Sequence, residues 1–330
     1  MTFWDKLPRP FFVLAPMEAV TDVVFRHVVA KAAAPDLYFT EFTNATGWVH
    51  AGEKAIRGRL LKTDDEHPII AQIWGGEAGD MEQIAHHCRE LGYDGIDINM
   101  GCPAKSAIKS GGAALIRQPD LAVAAIRAAR SAGLPVSVKT RLGYTYTDEW
   151  RDWLTALLRE DIAALTIHLR TKREMSKVPA HWDIMPDIVA LRDEIAPQTL
   201  IIGNGDVRDR EHGLELISTT GCDGVMIGRG VFANPFCFAA EQEYRMSNIE
   251  YSDSSQPYST YHIPYSRSLD LLHYHLDLYD QYAPQTVRPF DTLKRFFKIY
   301  IRDFDGASDL REQLMHTSST DEVRAIIDTL

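Results

Sequence analysis

Short apolar runs alternate with amphipathic segments along the first three quarters of the chain. Each run has five or six residues and is apolar almost throughout, as is typical of parallel strands buried on both faces. The runs are 11–15, 37–42, 68–73, 94–98, 135–139, 163–168, 199–203 and 223–227. Apolar residues at helical spacing occupy the segments 79–91, 118–131, 148–160, 183–195 and 208–219. Eight alternating strand and helix units predict an α/β fold, a (β/α)₈ TIM barrel.

Polar or conformationally special residues follow nearly every candidate strand. In a barrel of this kind the carboxyl ends of the strands surround one cavity, so we expect these residues to face a common site. One polar strand end would carry little weight, whereas eight in the same register favour a functional cavity. They are Met17-Glu18, Glu41, Gln72, Asn99, Lys139 with Arg141, His168 with Arg170, Asn204 to Asp206, and Gly228-Arg229.

The composition changes after about residue 245. Residues 246–265 are rich in Ser, Tyr, Asp and Pro without a helical period, which predicts a linker. Helical spacing returns in 266–282, 286–303, 307–315 and 320–329. We therefore predict a barrel domain over 1–245 and a small C-terminal helical bundle over 266–330, packed against the barrel or tethered to it.

Composition and charge restrict the class of protein. No segment approaches the roughly 18 consecutive apolar residues of a membrane span. The cysteines form no CxxC pair, so neither a metal site nor a disulfide scaffold is indicated. We expect a cytoplasmic monomer that binds neither metal nor membrane. The net charge of −11 argues against a nucleic-acid partner unless the cations are concentrated on one face.

Residues 97–105 (DINMGCPAK) contain the most distinctive chemistry of the chain. Gly101 and Pro103 predict a turn that exposes Cys102 at the end of the fourth strand. A thiol there can act as nucleophile, metal ligand or proton donor, and a small buried hydrophobe is the alternative for a lone cysteine. The flanking Asn99 and Lys105 favour the functional interpretation.

Two glycine-containing loops follow strands seven and eight. Asn204-Gly205-Asp206 and Gly228-Arg229-Gly230 predict a phosphate site, because glycines let backbone amides approach an anion beside a helix N-terminus. Neither GxGxxG nor GxxxxGK[ST] is present, so a Rossmann site or a P-loop is not indicated. Turn-forming glycines without a ligand are the alternative.

Lys139 and His168 end neighbouring strands and are expected to point into the barrel mouth. A lysine there would stabilise the negative charge that develops at N1 and O2 of a flavin accepting a hydride. The amide of Gln72 has both donors and an acceptor for the ring edge. A solvated lysine at a strand end is the alternative interpretation of Lys139.

These motifs together resemble the tRNA-dihydrouridine synthases over about residues 11–240, in the same order along the chain. The element at 98–105 is the most specific, whereas Ala15-Pro16-Met17 and the two glycine loops are shared with other FMN barrels. The segments that carry the resemblance are 14–18 (LAPME), 98–105 (INMGCPAK), 136–143 (VSVKTRLG), 203–206 (GNGD) and 226–230 (MIGRG).

The resemblance implies FMN as cofactor, NADPH or NADH as reductant, and a uridine of tRNA as substrate. It implies hydride transfer from flavin N5 to C6 of uracil, with Cys102 as proton donor to C5. Cofactor contacts would be Pro16, Met17, Glu18, Gln72, Lys139, His168, Asn204, Gly205, Asp206, Gly228 and Arg229. Substrate contacts would be Asn99, Lys105, Arg141 and Arg170.

Two further features are interpreted through the resemblance. The family usually has a small residue after the histidine of strand six, so Leu169 is expected to crowd the flavin edge or to shift the backbone. The loop 172–180 also lacks the family's usual glycine and tyrosine. In the C-terminal bundle, tRNA contacts are predicted on one helix face, with a solvated face as the alternative, at Lys294, Arg295, Lys298 and Arg302. The aromatic residues Phe296, Phe297 and Tyr300 are expected to pack inward.

Two other functions fit part of the pattern. An FMN-dependent dihydroorotate or dihydropyrimidine dehydrogenase acting on a free base would share the phosphate loops and the cysteine chemistry. Such an enzyme would not need a basic helical domain or the GCPxK loop. A non-catalytic RNA-binding protein would not need Cys102, Lys139 and His168, and bound flavin would exclude it.

Overall fold

The computed structural model describes residues 2–240 and 265–330. The predicted linker 246–265 lies outside these residues, except for Tyr265, where a helix begins. The described strands are β1 (Phe11–Leu14), β2 (Tyr38–Phe39), β3 (Thr43–Asn44), β4 (Ile69–Trp74), β5 (Gly95–Asn99), β6 (Val136–Arg141), β7 (Ala164–His168), β8 (Leu200–Asn204) and β9 (Gly224–Ile227). All pairings between them are parallel, in the order β1-β9-β8-β7-β6-β5-β4-β2, with β3 also paired to β4.

The sheet closes between β1 and β2. Val13 and Leu37 form a parallel bridge, and the Leu14 amide donates to the Leu37 carbonyl at 3.3 Å. β2 and β3 share the second strand position, which the sequence predicted as one strand over 37–42. Between them the Thr40 hydroxyl accepts the Gln72 amide at 3.0 Å, so a side chain replaces a backbone partner in the ladder. The predicted eight-position barrel is confirmed.

Side chains of each strand alternate between the barrel interior and the helix-facing side. The interior is apolar at the amino ends of the strands, where the short 3₁₀-helix Phe3–Lys6 inserts Trp4 beside Phe11, Ile70 and Met226. Towards the carboxyl ends the inward positions become polar. The polar groups are therefore concentrated at the mouth, which we define as the carboxyl ends of the strands.

The helices of the barrel domain are α1 (Val23–Ala33), α2 (Ala45–Ala51), α3 (Glu53–Ile56), α4 (Ala78–Glu90), α5 (Pro119–Arg130), α6 (Trp150–Leu158), α7 (Met185–Ile195), α8 (Arg210–Thr220) and α9 (Gly230–Ala233). Local sequence explains several of their ends. The Asp22 carboxylate accepts the Phe25 amide at the start of α1, Asp209 accepts the His212 amide at the start of α8, and Gly221 ends α8 in the left-handed region. No helix of residues 2–240 or 265–330 is long and apolar enough to span a membrane.

The C-terminal bundle consists of α10 (Tyr265–Thr286), α11 (Phe297–Tyr300), α12 (Ala307–Met315) and α13 (Thr320–Ile327). It packs directly on the barrel, since α10 lies against α1. The ring of Phe25 on α1 stacks on Phe296 with centroids 4.9 Å apart and on Phe232 of α9 at 5.9 Å. Of the two predicted arrangements of the bundle, packing against the barrel is the observed one.

One predicted helix of the bundle is wrong. Residues 286–303 form 3₁₀ turns at Phe290–Thr292 and Lys294–Phe296 before the short α11. Pro289 is extended and disfavours a helical conformation at Arg288, so a continuous helix from residue 286 is interrupted there. The helix predicted over 266–282 extends to Thr286 as α10. Pro284 lies in its last turn, where the Val287 amide still donates to the Ala283 carbonyl at 2.9 Å.

Candidate active site

The Cys102 loop leaves β5 directly at the mouth. The Asn99 side-chain oxygen accepts the amides of Gly101 and Cys102 at 3.1 and 2.9 Å, and the Cys102 carbonyl accepts the Ala113 amide at 3.0 Å. Gly112 has a φ of 55°, and a Cβ there would lie 2.9 Å from the Cys102 carbonyl oxygen. The loop is therefore tightly packed, and it presents a partly exposed thiol, as the sequence predicted.

A chain of buried side chains continues from this loop into the barrel. The Asn99 amide nitrogen donates to Gln72 Oε1 at 3.0 Å, and Gln72 Nε2 donates to Asp97 Oδ2 at 2.6 Å. The other carboxylate oxygen of Asp97 accepts the Ser137 hydroxyl at 2.7 Å. Asp97 and Gln72 are completely buried, and Asn99 is nearly so.

The direction of this chain is fixed at both ends. An ionised carboxylate only accepts, so the amide nitrogen of Gln72 must face Asp97. Backbone amides only donate, so the oxygen of Asn99 must face the Cys102 loop. These two constraints require the same orientation of both side-chain amides. Asn99 is consequently left with one N–H for a ligand and can contact it only as a donor.

Asp97 and Lys139 shift each other's pKa inside the barrel. Burial raises the pKa of Asp97 to about 6, against hydrogen bonds from Ser137 and Gln72 and the charge of Lys139. Burial also lowers the pKa of Lys139 to about 8, with the Arg141 charge acting in the same direction and Asp97 opposing it. Lys139 donates to Asn204 Oδ1 at 3.2 Å, so it lies between the cysteine loop and the loop after β8.

Positive charge converges on His168. Burial lowers the pKa of His168 strongly, and the charges of Arg141, Lys139, Arg170 and Arg229 lower it further. The histidine is therefore neutral, and its Nε2 lies 3.0 Å from the Arg170 guanidinium. The mouth is a cationic region in a protein whose net charge is −11.

Arg141 and Arg170, predicted to contact substrate, are both buried and bonded to neighbouring loops. Arg141 donates to the carbonyls of Gly101 and Met175 at 2.7 and 2.9 Å. Arg170 donates to the Val178 carbonyl at 2.6 Å and pairs with Asp206. Both guanidinium groups therefore hold the 171–178 loop over the mouth, and their contact with substrate stays a prediction.

The thiol of Cys102 is the group best suited to proton donation. Burial raises its pKa, while the Ala104 amide and the charges of Arg141 and Lys139 act in the opposite direction. A raised pKa keeps the thiol protonated at neutral pH. A general acid must carry a proton, whereas a nucleophilic or metal-binding cysteine must be a deprotonated thiolate. The raised pKa therefore favours proton donation.

The two predicted phosphate loops lie next to each other at the mouth. Asp206 pairs with Arg229 at 3.0 Å through one oxygen and with Arg170 through the other. Asn204 donates to the Met226 carbonyl at 2.9 Å and so connects β8 to β9. Arg229 is exposed, and Gly228 is half-buried. The structure brings these residues together, and binding of a phosphate there stays a prediction.

The remaining predicted cofactor contacts, and the predicted substrate contact Lys105, have different surroundings. Pro16 is buried and Met17 half-buried beside Gly228, whereas Glu18 is exposed and pairs with Arg59. Gln72 lies beneath Asn99 with no exposed surface. Lys105 is exposed on the loop after Cys102. The binding roles of Pro16, Met17, Glu18, Gln72 and Lys105 stay predictions.

Of the two expectations for Leu169, crowding of the flavin edge does not fit its position, and a shifted backbone stays a prediction. Alternation along β7 directs His168 inwards and Leu169 outwards, where Leu169 is fully buried among the helix-facing core residues. The loop 172–180 obtains its shape from other residues. Glu174 accepts the Thr171 amide at 2.7 Å and lies 2.9 Å from His181 Nε2.

The four predicted RNA-binding cations of the bundle have different surroundings. Lys294 pairs with Asp291 at 2.8 Å. Arg295 donates to the Ala19 carbonyl at 3.0 Å, and Arg302 donates to the Ala233 carbonyl at 2.6 Å. Lys298 is exposed. The neighbouring Phe296, Phe297 and Tyr300 are buried, as predicted.

Sequence reasoning missed Asp97 as part of the site. A detectable signal was present, because an acid in the apolar run 94–98 lies two residues before Asn99 and so on the same face. Arg288 was also missed, although it pairs with the buried Glu41. No sequence pattern indicates the pairing of Arg288 with Glu41.

In the described parts of the chain no group of three or more His, Cys, Asp or Glu side chains could hold a metal ion.

The fold and these residues define a barrel enzyme with a partly exposed thiol and several cations at its mouth. The family model for dihydrouridine synthase (Dus) matches residues 13–329, and this chain belongs to that family.

Individual relatives agree with the family assignment. A Bacillus subtilis protein named "Probable tRNA-dihydrouridine synthase 2" is 54% identical over 99% of this chain and 95% of its own length. A Staphylococcus aureus (strain Mu50) protein named "Probable tRNA-dihydrouridine synthase" is 51% identical over 99% and 94%. A solved structure titled as a variant of NCR from Zymomonas mobilis matches 73% of this chain and 86% of its own, with 16% identity and a TM-score of 0.44.

Proposed function

We propose that this protein reduces a specific uridine of tRNA to 5,6-dihydrouridine, with FMN at the barrel mouth and NADPH or NADH as reductant. The observation that carries the proposal is the partly exposed Cys102 thiol at the barrel mouth, on a loop whose Gly101 carbonyl accepts the buried Arg141 at 2.7 Å, with the half-buried Lys139 on the same strand as Arg141. Cations at the mouth of an acidic protein suit an anionic cofactor and substrate. The names of the relatives support tRNA as the substrate class.

The residues at the mouth fit a flavin that carries a phosphate. Lys139 donates to Asn204 and has two further N–H groups for a ligand. A Cβ at Gly228 would meet Ala15 Cβ at 3.5 Å and Met17 Sδ at 3.9 Å, both ordinary contacts, so the backbone there is not enclosed. When bound, FMN supplies the hydride that adds to C6 of uracil. The residues that would hold it are Met17, Lys139, His168, Asn204 to Asp206, Gly228 and Arg229.

Cys102 completes the reduction by donating a proton. Addition of hydride at C6 leaves negative charge on C5 and the C4 carbonyl oxygen of the base. The thiol gives its proton to C5 and becomes a thiolate. Arg141 and Lys139 lower the pKa of Cys102 and therefore stabilise that thiolate. The single free N–H of Asn99 suits a carbonyl oxygen of uracil.

The tRNA must present its base outside the stack, because a paired or stacked base cannot enter a barrel mouth. A groove next to the mouth offers a surface for the phosphodiester backbone. It has a volume of about 670 Å³ between α9 and the bundle and is lined by Arg229, Lys298, Arg302 and Arg311, with Asp303 also present. Cations grouped in this way allow an acidic protein to bind RNA locally.

The proposal is tested by incubating purified protein with FMN, NADPH and unmodified tRNA, and by mapping dihydrouridine in the product. We expect one modified uridine position, and tRNA from a deletion strain should lack it. Free uracil and dihydroorotate serve as comparison substrates. Turnover of a free base without tRNA modification would contradict the proposal and favour a dehydrogenase of free pyrimidines.

A further inference from the structure

The loop after β1 is held at its backbone by two different parts of the molecule. This loop, residues 16–20, contains Met17 and Glu18 at the mouth. Ala19 has a φ of 58°, in the left-handed region that residues other than glycine rarely adopt. Such a conformation persists where the surrounding contacts specify it.

Both polar groups of the Ala19 backbone have charged partners. Its amide donates to the carboxylate of Glu41, which follows β2 in the barrel. Its carbonyl accepts the Arg295 guanidinium of the bundle at 3.0 Å. Glu41 is completely buried and pairs with Arg288, which also belongs to the bundle. The bundle therefore contacts this loop directly through Arg295 and indirectly through Arg288 and Glu41.

Arg288 also compensates acidic charge at this end of the barrel. Burial raises the pKa of Glu41, and the charge of Arg288 opposes that effect. Asp22, the N-cap of α1, has its pKa raised by burial and lowered by the Phe25 amide and Arg288, whose Nε lies 3.7 Å away. Without Arg288 the carboxyl of Glu41 would tend to protonate and would accept the Ala19 amide less strongly.

Other residues already attach the bundle to the barrel. The rings of Phe25, Phe232, Phe296 and His275 form an apolar contact between the two parts. Attachment alone would not require charged side chains that end at the backbone of a mouth loop. Glu41 and Arg295 instead bind both polar groups of the Ala19 backbone.

We propose that Arg288 and Arg295 are positioning residues through which the helical bundle sets the shape of the cofactor-binding loop. The bundle then completes the FMN site in addition to any contact with RNA. The inference rests on the proposed function in one respect, namely that FMN is the group bound at the mouth. It assigns Arg295 a task that differs from the predicted RNA contact.

The test measures FMN binding by full-length apoprotein in the absence of RNA, from the fluorescence of the titrated flavin. Arg295→Gln should raise the FMN dissociation constant about tenfold, the order expected for loss of a charge-assisted hydrogen bond. Arg295→Lys should restore most of the affinity, because lysine can still donate to the Ala19 carbonyl. Arg324→Gln is the matched control, since Arg324 pairs with Asp277 and Asp280 inside the bundle.

Arg288 is tested through its partner. Arg288→Gln leaves a buried carboxylate without a counter-charge and should weaken FMN binding and folding together. The double variant Arg288→Gln, Glu41→Gln should recover FMN affinity, since a neutral amide oxygen still accepts the Ala19 N–H. Folding stability is measured in the same variants. Recovery of stability in the double variant without recovery of FMN affinity would contradict a role of Arg288 and Glu41 in holding the Ala19 amide.

The reduction potential of the bound flavin, measured at saturating FMN, gives a second readout. It should shift in Arg295→Gln and stay at the wild-type value in Arg324→Gln. Equal FMN affinity and equal potential in these two variants would overturn the inference, even in a protein that forms dihydrouridine normally. A wild-type chain that does not bind FMN would contradict the proposed function as well.

Discussion

The barrel mouth and the helical bundle both carry clusters of cations, but the two clusters are built on different principles. At the mouth, strand register places Lys139, Arg141 and His168 beside one another, so their positions follow from the spacing along β6 and β7. In the bundle, Arg295 and Arg302 donate to carbonyl groups of the barrel. A cation on a strand is placed by its own element, whereas a cation of the bundle is placed by the surface it packs against.

Loss of the Cys102 thiol should show the largest difference between the two regions, because it affects catalysis at the mouth and leaves tRNA binding unchanged. Cys102→Ala removes the proton donor to C5, and loss of a general acid costs about 10² to 10⁴ in rate. Dihydrouridine formation, measured on purified tRNA, should fall by that factor. The affinity for tRNA should stay unchanged, because the basic groove is intact. A native rate in this variant would show that another group donates the proton.

Replacement of Lys139 tests whether the mouth cations act on the cofactor. Lys139→Met should lower the reduction potential of bound flavin and slow its reduction by NADPH, by about a hundredfold if the lysine acts as an electrostatic donor. Stopped-flow absorbance of the flavin measures the rate. An unchanged potential in fully loaded protein would exclude a contact between Lys139 and the flavin.

The groove cations Lys298, Arg302 and Arg311 should affect RNA binding and leave the flavin chemistry unchanged. Changing Lys298, Arg302 and Arg311 together to Ala should weaken tRNA binding and reduce the slope of affinity against salt by about two to three units. Reduction of flavin by NADPH should be unaffected. Survival of both affinity and salt slope would place the RNA on another surface. Arg295 is left out of this set because it contacts the Ala19 carbonyl.

The pH dependence of flavin reduction tests the buried pair. Lys139 has a pKa lowered to about 8, so its charge is present below that pH and the reduction rate should fall above it. Asp97 raises the pKa of Lys139, so Asp97→Asn should move this fall to lower pH. Ser137→Ala keeps the carboxylate and serves as the control. An unmoved profile in Asp97→Asn would mean that the two charges do not interact.

The same contrast explains how much could be predicted from sequence. The barrel strands lie within one or two residues of their predicted bounds, because the sequence of a buried parallel strand is a nearly continuous apolar run. Cys102, Lys139 and His168 follow from those bounds. Thr40 splits the second strand through its own side chain, and the pairing of Glu41 with Arg288 joins residues from distant parts of the chain. Local patterns contain neither of these contacts.

The bundle was predicted less accurately for a related reason. The basic and aromatic residues of 294–302 have helical spacing, yet Pro289 and packing on the barrel produce short 3₁₀ turns there. The buried aromatic residues were predicted because burial follows from apolarity. The partners of the cations were not, because they depend on which barrel carbonyls lie opposite.

The most direct test of the account is a single-turnover experiment with Cys102→Ala and wild-type protein. Each is loaded with FMN, reduced with one equivalent of NADPH without oxygen, and mixed with unmodified tRNA while flavin absorbance is followed. We expect equal rates of reduction by NADPH and a much slower reoxidation by tRNA in the variant, because protonation of C5 completes the transfer. Equal reoxidation rates would contradict the central role of the Cys102 thiol.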